Sequence, residues 1–212
     1  MKTQLITVIL LTFLSGFGYA QSKAELGITA EGNWFRPYQG QDYYSRDRAL
    51  KNGLGTGIGV YASRDIWWRL SADLGLAYRY KQMQQHYVIY GDGGGQYGGE
   101  PDLAGWDKLP MHYLVIPLHC QLLLTKNFFI RGGLETAWLL NYDAVNQKPE
   151  YSWTIGFGSQ KHKLKWSLNY ITGFKNQSFG YGGLSEEGWY NGGSSFYSET
   201  LQLSFSYPIW QK

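Results

Sequence analysis

The chain has 212 residues, 17% of them charged and 17% aromatic, with 28 Gly, one Cys and a net charge of +3 at pH 7. So small and scattered a charge argues against a nucleic-acid surface, and the single Cys120 excludes an intramolecular disulfide framework. Abundant aromatics and glycines with a mean hydropathy of −0.36 point to an all-β chain of alternating polar and apolar residues.

The first residues read as a secretory leader. Lys2 is a positive n-region, Leu5 to Phe17 an apolar h-region, and Gly18-Tyr19-Ala20 places small residues where a signal peptidase reads. The apolar run is too short for a transmembrane helix, which needs about 20 residues. The expected division is therefore a signal peptide over 1–20 and one domain over 21–212, without a lipoprotein cysteine after the cleavage site.

Eight runs with period 2 follow. The first, 24–36, sets Leu26, Ile28, Ala30 and Trp34 against Glu25, Thr29, Glu31 and Asn33. The second, 53–63, alternates Leu54, Ile58, Val60 and Ala62 with Gly53, Gly55, Gly57, Gly59 and Tyr61. The third sets Trp68, Leu70, Ala72, Leu74, Leu76 and Tyr78 against Arg69, Ser71, Asp73, Gly75, Ala77 and Arg79, and its pattern continues through Gln82 to Tyr90. The remaining runs are 110–125, 128–142, 151–159, 163–174 and 196–210. Tight turns are expected at Arg64-Asp65, Thr125-Lys126-Asn127 and Gln160-Lys161-His162. Longer polar or Gly-rich loops fall at 37–52, 91–109, 143–150 and 175–195. Pro117 removes a donor from mid-strand, for which a local bulge is the plain explanation.

Alternation alone leaves the outward face open. Most runs reach the roughly 9–11 residues that a tilted strand needs to cross a bilayer. Aromatics gather at both ends of the apolar lanes, Trp68, Phe128, Trp166 and Tyr207 near the turns and Trp34, Tyr78, Trp138, Tyr151 and Tyr170 near the loops. The other lane carries Glu31, Arg69, Asp73, Arg131 and Glu135, which suit the inside of a small barrel, where they can pair as an ionic network. The expected fold is an all-β, eight-stranded, antiparallel up-and-down transmembrane β-barrel in the outer membrane of a Gram-negative cell envelope, monomeric and surrounded by lipid. A soluble lipocalin-like barrel is the structural alternative.

Tyr113-Leu114-Val115-Ile116-Pro117-Leu118, followed by a turn and Phe129-Ile130-Arg131-Gly132-Gly133, resembles the PorT-like outer-membrane β-barrel family. Leu201 to Tyr207 is similar to the closing strand that the barrel-insertion machinery recognises. The resemblance covers the mature chain in layout and is specific in residues only around 113–133; it implies fold and location rather than a mechanism. Val115 departs from it, since relatives often carry an acidic residue there, and the chain runs past its last aromatic to Gln211 and Lys212.

Sites of chemistry are sparse. The glycines at 53, 55, 57 and 59 share one strand face, and no helical pattern follows as a phosphate loop would need. Of His86, His112, His119 and His162, the pair 112/119 is at odd separation on one strand, so the two cannot chelate together. No catalytic, metal or cofactor site is expected. Loop aromatics Tyr43, Tyr44, Trp106, Tyr181, Trp189 and Tyr190 form a candidate surface for a glycan or an envelope protein, against the plainer reading that they pack on one another. Because side chains fill an eight-stranded barrel, the sequence points to a non-enzymatic structural, adhesion or envelope/secretion-assembly component acting through its extracellular loops. A narrow small-molecule or ion pathway through the lumen is the alternative; a lipid-modifying enzyme would need a convergent Ser, His and carboxylate that the sequence does not nominate.

Overall fold

The computed structural model describes residues 23–38, 50–89, 103–141, 149–161, 163–174, 177–185 and 188–212. Nine strands are β1 (Ala24–Tyr38), β2 (Leu50–Trp67), β3 (Leu70–Ile89), β4 (Leu103–Leu123), β5 (Phe128–Leu139), β6 (Glu150–Lys161), β7 (Leu164–Gly173), β8 (Gln177–Ser185) and β9 (Gly188–Gln211). Neighbours from β1 to β7 pair antiparallel in sequence order, β9 pairs with β7, and β9 returns to β1 from Glu25↔Gln211 to Tyr38↔Tyr197. The sheet thus closes on itself with eight staves. β8 pairs only with β9, as the outer arm of a hairpin on the loop side.

Closure dictates the two faces. Each outward lane is apolar: Leu54 is 70% exposed, Ile58 67% and Trp68 81%. The inward lanes are shielded and hold the polar residues: Glu135 and Gln202 are 2% exposed and Asn169 0%. Such an inversion would leave a water-soluble barrel with its greasiest surface wet, whereas in a bilayer it satisfies both lanes.

Local chemistry sets the ends of the strands. At the β4–β5 turn, Thr125 Oγ1 accepts bonds from the backbone N–H groups of Asn127 (3.3 Å) and Phe128 (3.1 Å). At the other end of β5, the Asn141 side chain extends the ladder by one step. Its Oδ1 accepts from His112 N (3.0 Å) and its Nδ2 donates to Pro110 O (2.8 Å). Where β9 meets β1, Leu26 faces Trp210 and Gly27 faces Pro208, so the chain bulges beside a proline that has no N–H to donate.

The strands differ from the sequence reading in four places. β2 runs through Arg64-Asp65 to Trp67, and the tight turn is Trp68-Arg69. β4 starts at Leu103, inside the expected loop, because it pairs with the long extension of β3 as far as Ile89↔Leu103. Most of the expected last loop is the β8–β9 hairpin, where Gly and Ser allow a tight ladder. Pro117 makes no bulge: the β3–β4 register is the same on either side, from Leu74↔Leu118 to Ala77↔Val115. Gly75 opposite leaves room for the ring, since a Cβ there would lie 2.9 Å from Pro117 Cγ.

A charge placed on the lipid face should therefore cost most at mid-height. Ile155→Arg or Leu203→Arg is expected to destabilise the barrel in lipid vesicles by about 2–4 kcal/mol, and Trp68→Arg, near the edge of the belt, by about 0–1 kcal/mol. Urea-unfolding midpoints monitored by tryptophan fluorescence measure this.

Candidate functional site: the ionic lumen

The lumen is built in layers along the barrel axis. Nearest the turns, Lys165 of β7 is bonded to Glu25 of β1. Above them Arg131 of β5 reaches Asp73 of β3 (Nη2–Oδ2, 3.3 Å) and donates to Ser167 Oγ (3.3 Å). A ladder of neutral groups continues round the wall. Ser167 meets Ser204 at 2.7 Å, and Asn169 Nδ2 donates to Gln202 Oε1 at 2.9 Å.

The next layer is the strongest. Arg79 of β3 forks across the lumen, with Nε 3.0 Å from Glu31 Oε2 of β1 and Nη1 2.9 Å from Glu135 Oε2 of β5. His119 Nε2 lies 3.5 Å from the other oxygen of Glu135. Charge-assisted bonds at these distances are strong, and both carboxylates lose much of their hydration by entering the barrel, so each depends on Arg79.

Glycine makes these reaches geometrically available. Glu31, Gly57 and Arg79 occupy one row across β1, β2 and β3. A Cβ at Gly57 would come within 2.8 Å of Glu31 Oε2. Likewise a Cβ at Gly133 would meet His119 Cδ2 at 2.7 Å, one at Gly156 would meet Asn169 Oδ1 at 2.3 Å, and one at Gly158 would meet Phe129 Cζ at 2.5 Å. Long polar side chains cross the lumen over bare strands.

Towards the loops the filling turns apolar. Phe35, Ala77, Met83, Met111, Tyr113, Val115 and Ala137 form one buried cluster. Lys81 lies within it, its ammonium 4.8 Å from the Phe35 ring and 5.2 Å from that of Tyr113, with Ser198 Oγ at 3.4 Å. Val115 is fully buried against apolar neighbours. Between the ionic layers a polar cavity of about 40 Å³ touches Tyr61, Asp73, His119, Arg131 and Gln202. Asp73 Oδ1, Arg131 Nε and Gln202 Nε2 have no other hydrogen-bond partner there, and the cavity has room for a few waters.

Four of the five nominated ionic residues, Glu31, Asp73, Arg131 and Glu135, line this lumen in two separate bridges. Arg69 does not join them. It sits exposed in the β2–β3 turn, its guanidinium 4.3 Å from the Trp68 ring. Arg79, Lys81, Lys165 and Glu25 were missed as members, although the alternation places all of them on the inward lane. His119 points inward, whereas His112 faces outward and bonds to the Tyr78 hydroxyl in the loop-side aromatic row. His162 lies outside the described residues, as do Tyr43 and Tyr44. Trp106 is on β4, 39% exposed, under the Lys51 ammonium at 3.7 Å. Tyr181, Trp189 and Tyr190 fall on the β8–β9 hairpin, facing Gly192, Leu184 and Gly183 in its register. No group of three or more metal-ligating side chains occurs among the described residues.

A closed antiparallel sheet of eight staves, apolar outside and ionic inside, with short turns at one end and long connections at the other, has one physical setting. This is a transmembrane β-barrel of the outer-membrane type. No protein-family description and no curated protein matches the chain. Among solved structures it is similar to the Yersinia pestis outer membrane protein Ail, at 10% identity over 87% of this chain and 100% of that one, with a TM-score of 0.34. Outer membrane protein AlkL matches at 12% identity over 91% and 92%, TM-score 0.38. The Escherichia coli outer membrane protein W matches at 11% identity over 88% and 98%, TM-score 0.38. The barrel assignment stands on the chain's own register and burial.

Arg79→Gln leaves two enclosed carboxylates without their cation and is expected to cost about 3–5 kcal/mol of stability in vesicles. Arg69→Gln, at an exposed turn, should change stability by less than about 0.5 kcal/mol. Denaturant titration of the two variants side by side measures the contrast.

Proposed function

We propose that this protein is a non-enzymatic, monomeric component of a Gram-negative outer membrane that works through its extracellular surface, as an adhesin, an anchor or a part of an envelope or secretion assembly. In this reading the leader 1–20 is removed, residues 21–212 form the mature barrel, and the short turns face the periplasm. The PorT-like resemblance of 113–133 belongs to the same proposal.

The filling of the lumen by side chains supports it. Arg79 bridges β1 to β5 across the interior, and the apolar cluster closes the space towards the loops. Passage of a solute would require breaking two buried ion pairs and displacing Phe35 and Met111. The strands also invest heavily beyond the membrane. β3 and β4 stay paired out to Ile89↔Leu103, and β8 and β9 form a second hairpin on the same side. The β3–β4 extension carries Trp106 and the β8–β9 hairpin Tyr181, Trp189 and Tyr190; with Tyr43 and Tyr44 these aromatics suit contact with a glycan or a protein.

Reconstituted in liposomes, the protein should give no sugar-dependent swelling and no steady conductance in planar bilayers. Free permeation of small sugars would overturn the surface reading in favour of the lumen pathway. Grafting the 80–110 hairpin onto an unrelated barrel should transfer partner capture from envelope extracts if that surface is the active part.

A further inference from the structure

The turn-side end of the barrel carries a cavity that neither lipid contact nor the lumen seal explains. It has a volume of about 430 Å³ and opens at the mouth opposite the loops. Lys23, Lys163, Lys165 and Lys212 line it, with Glu25 and Asp65 as its acidic residues. Glu25 is already engaged on both oxygens: one is bonded to Lys165, and the other accepts from Gln211 Nε2 at 3.2 Å. The remaining carboxylate, Asp65, adjoins Lys23, its backbone N–H donating to Lys23 O at 3.0 Å, and Lys163 and Lys212 line the same open space.

Direction distinguishes these lysines from those that commonly anchor a barrel in headgroups. Lys165 shares the inward lane of β7 with Ser167 and Asn169, and Lys163 precedes it by one full period. Lys23 bears the same relation to Glu25 on β1. The outer rim has separate cations, including Lys126 in the β4–β5 turn and Lys161 at the end of β6. Lys165 and Gln121 also line the inner polar cavity, where Asp73 Oδ1 and Arg131 Nε are buried without a hydrogen-bond partner. The two cavities thus adjoin across Lys165 and Gln121.

We propose that this turn-side mouth is a binding site for an oxyanion, a phosphate- or multi-carboxylate-bearing group held by Lys23, Lys163 and Lys212 with the Lys165–Glu25 pair as its floor. Ammonium groups spaced around a cavity of this size match a ligand with several anionic oxygens, and the glutamine amides Gln121, Gln160 and Gln211 supply neutral donors. The site's side of the membrane rests on the orientation given above; its existence does not. Two sources offer such chemistry, a phospholipid headgroup of the adjoining leaflet and a soluble anion.

The test is calorimetric titration of inorganic pyrophosphate, and separately citrate, into the folded barrel in phosphatidylcholine nanodiscs. Saturable binding to the unmodified protein is expected. Lys23→Gln with Lys163→Gln should weaken it at least about tenfold, since each removes a charge-assisted contact. The rim pair Lys126→Gln with Lys161→Gln should leave it within about twofold, as neither lines the cavity. Retained heat-dependent migration in SDS confirms that both variants fold. Repeating the titration in discs containing phosphatidylglycerol separates the sources: competition with pyrophosphate identifies a headgroup ligand, and an unchanged isotherm a soluble one. Absent binding to the unmodified protein, or equal losses in the cavity and rim variants, would overturn the proposal.

Discussion

Arg79 is the residue around which the interior is arranged. Its guanidinium has a fixed planar fork, and the fork is used in two directions, to Glu31 on β1 and to Glu135 on β5. Bringing three charges into a narrow barrel is costly unless they meet one another closely. Closeness in turn demands that the intervening wall carry nothing. β2 meets that demand with Gly57, and the lane from Gly53 to Gly59 keeps that stretch of its inner face bare. The same trade recurs with Gly133 beside His119 and Gly156 beside Asn169. An eight-stranded lumen cannot hold long side chains from every strand, so some strands contribute bulk and others contribute space.

The outer face follows a different constraint. Lipid offers no hydrogen bonds, so every backbone group must be satisfied within the sheet, and closure through β1 and β9 accomplishes this. Once closed, the sheet has one surface for acyl chains and one for its own polar groups, and the period-2 alternation sorts residues between them. The two ends differ in filling. At the loop end, strand pairs extend beyond the aromatic row and the lumen is packed with Phe35, Met83 and Met111. At the turn end the lumen stays polar and open as far as the Arg131–Asp73 bridge.

The barrel was largely legible because alternation survives in every stave, and the apolar and ionic lanes read from the sequence are the lanes seen in space. What alternation does not encode is height. With the first tight turn expected at Arg64-Asp65, Arg69 reads as a mid-strand charge, and Arg79 is not among the nominated ionic residues. With the turn at Trp68-Arg69, the heights shift along β3, and Arg79 becomes the central cation while Arg69 drops to the edge. The Asp65 and Trp67 positions offer no glycine or proline to mark where the chain reverses, so the error had no local signal to correct it. Pro117 was likewise misjudged in isolation, because its fit depends on Gly75 of the neighbouring strand. The β8–β9 hairpin was obscured by its composition, since Gly- and Ser-rich stretches serve equally as loops and as tight ladders.

The dependence of the ionic bridge on a bare β2 is best tested by a double-mutant cycle between Gly57→Ala and Glu31→Ala, with stabilities measured by urea unfolding in lipid vesicles. If space at position 57 exists for the bridge, the added methyl should be harmful beside Glu31 and much less so once Glu31 is gone, a coupling on the order of 1 kcal/mol or more. Strict additivity of the two substitutions would mean that the glycine lane serves only backbone curvature and that the bridge does not need it.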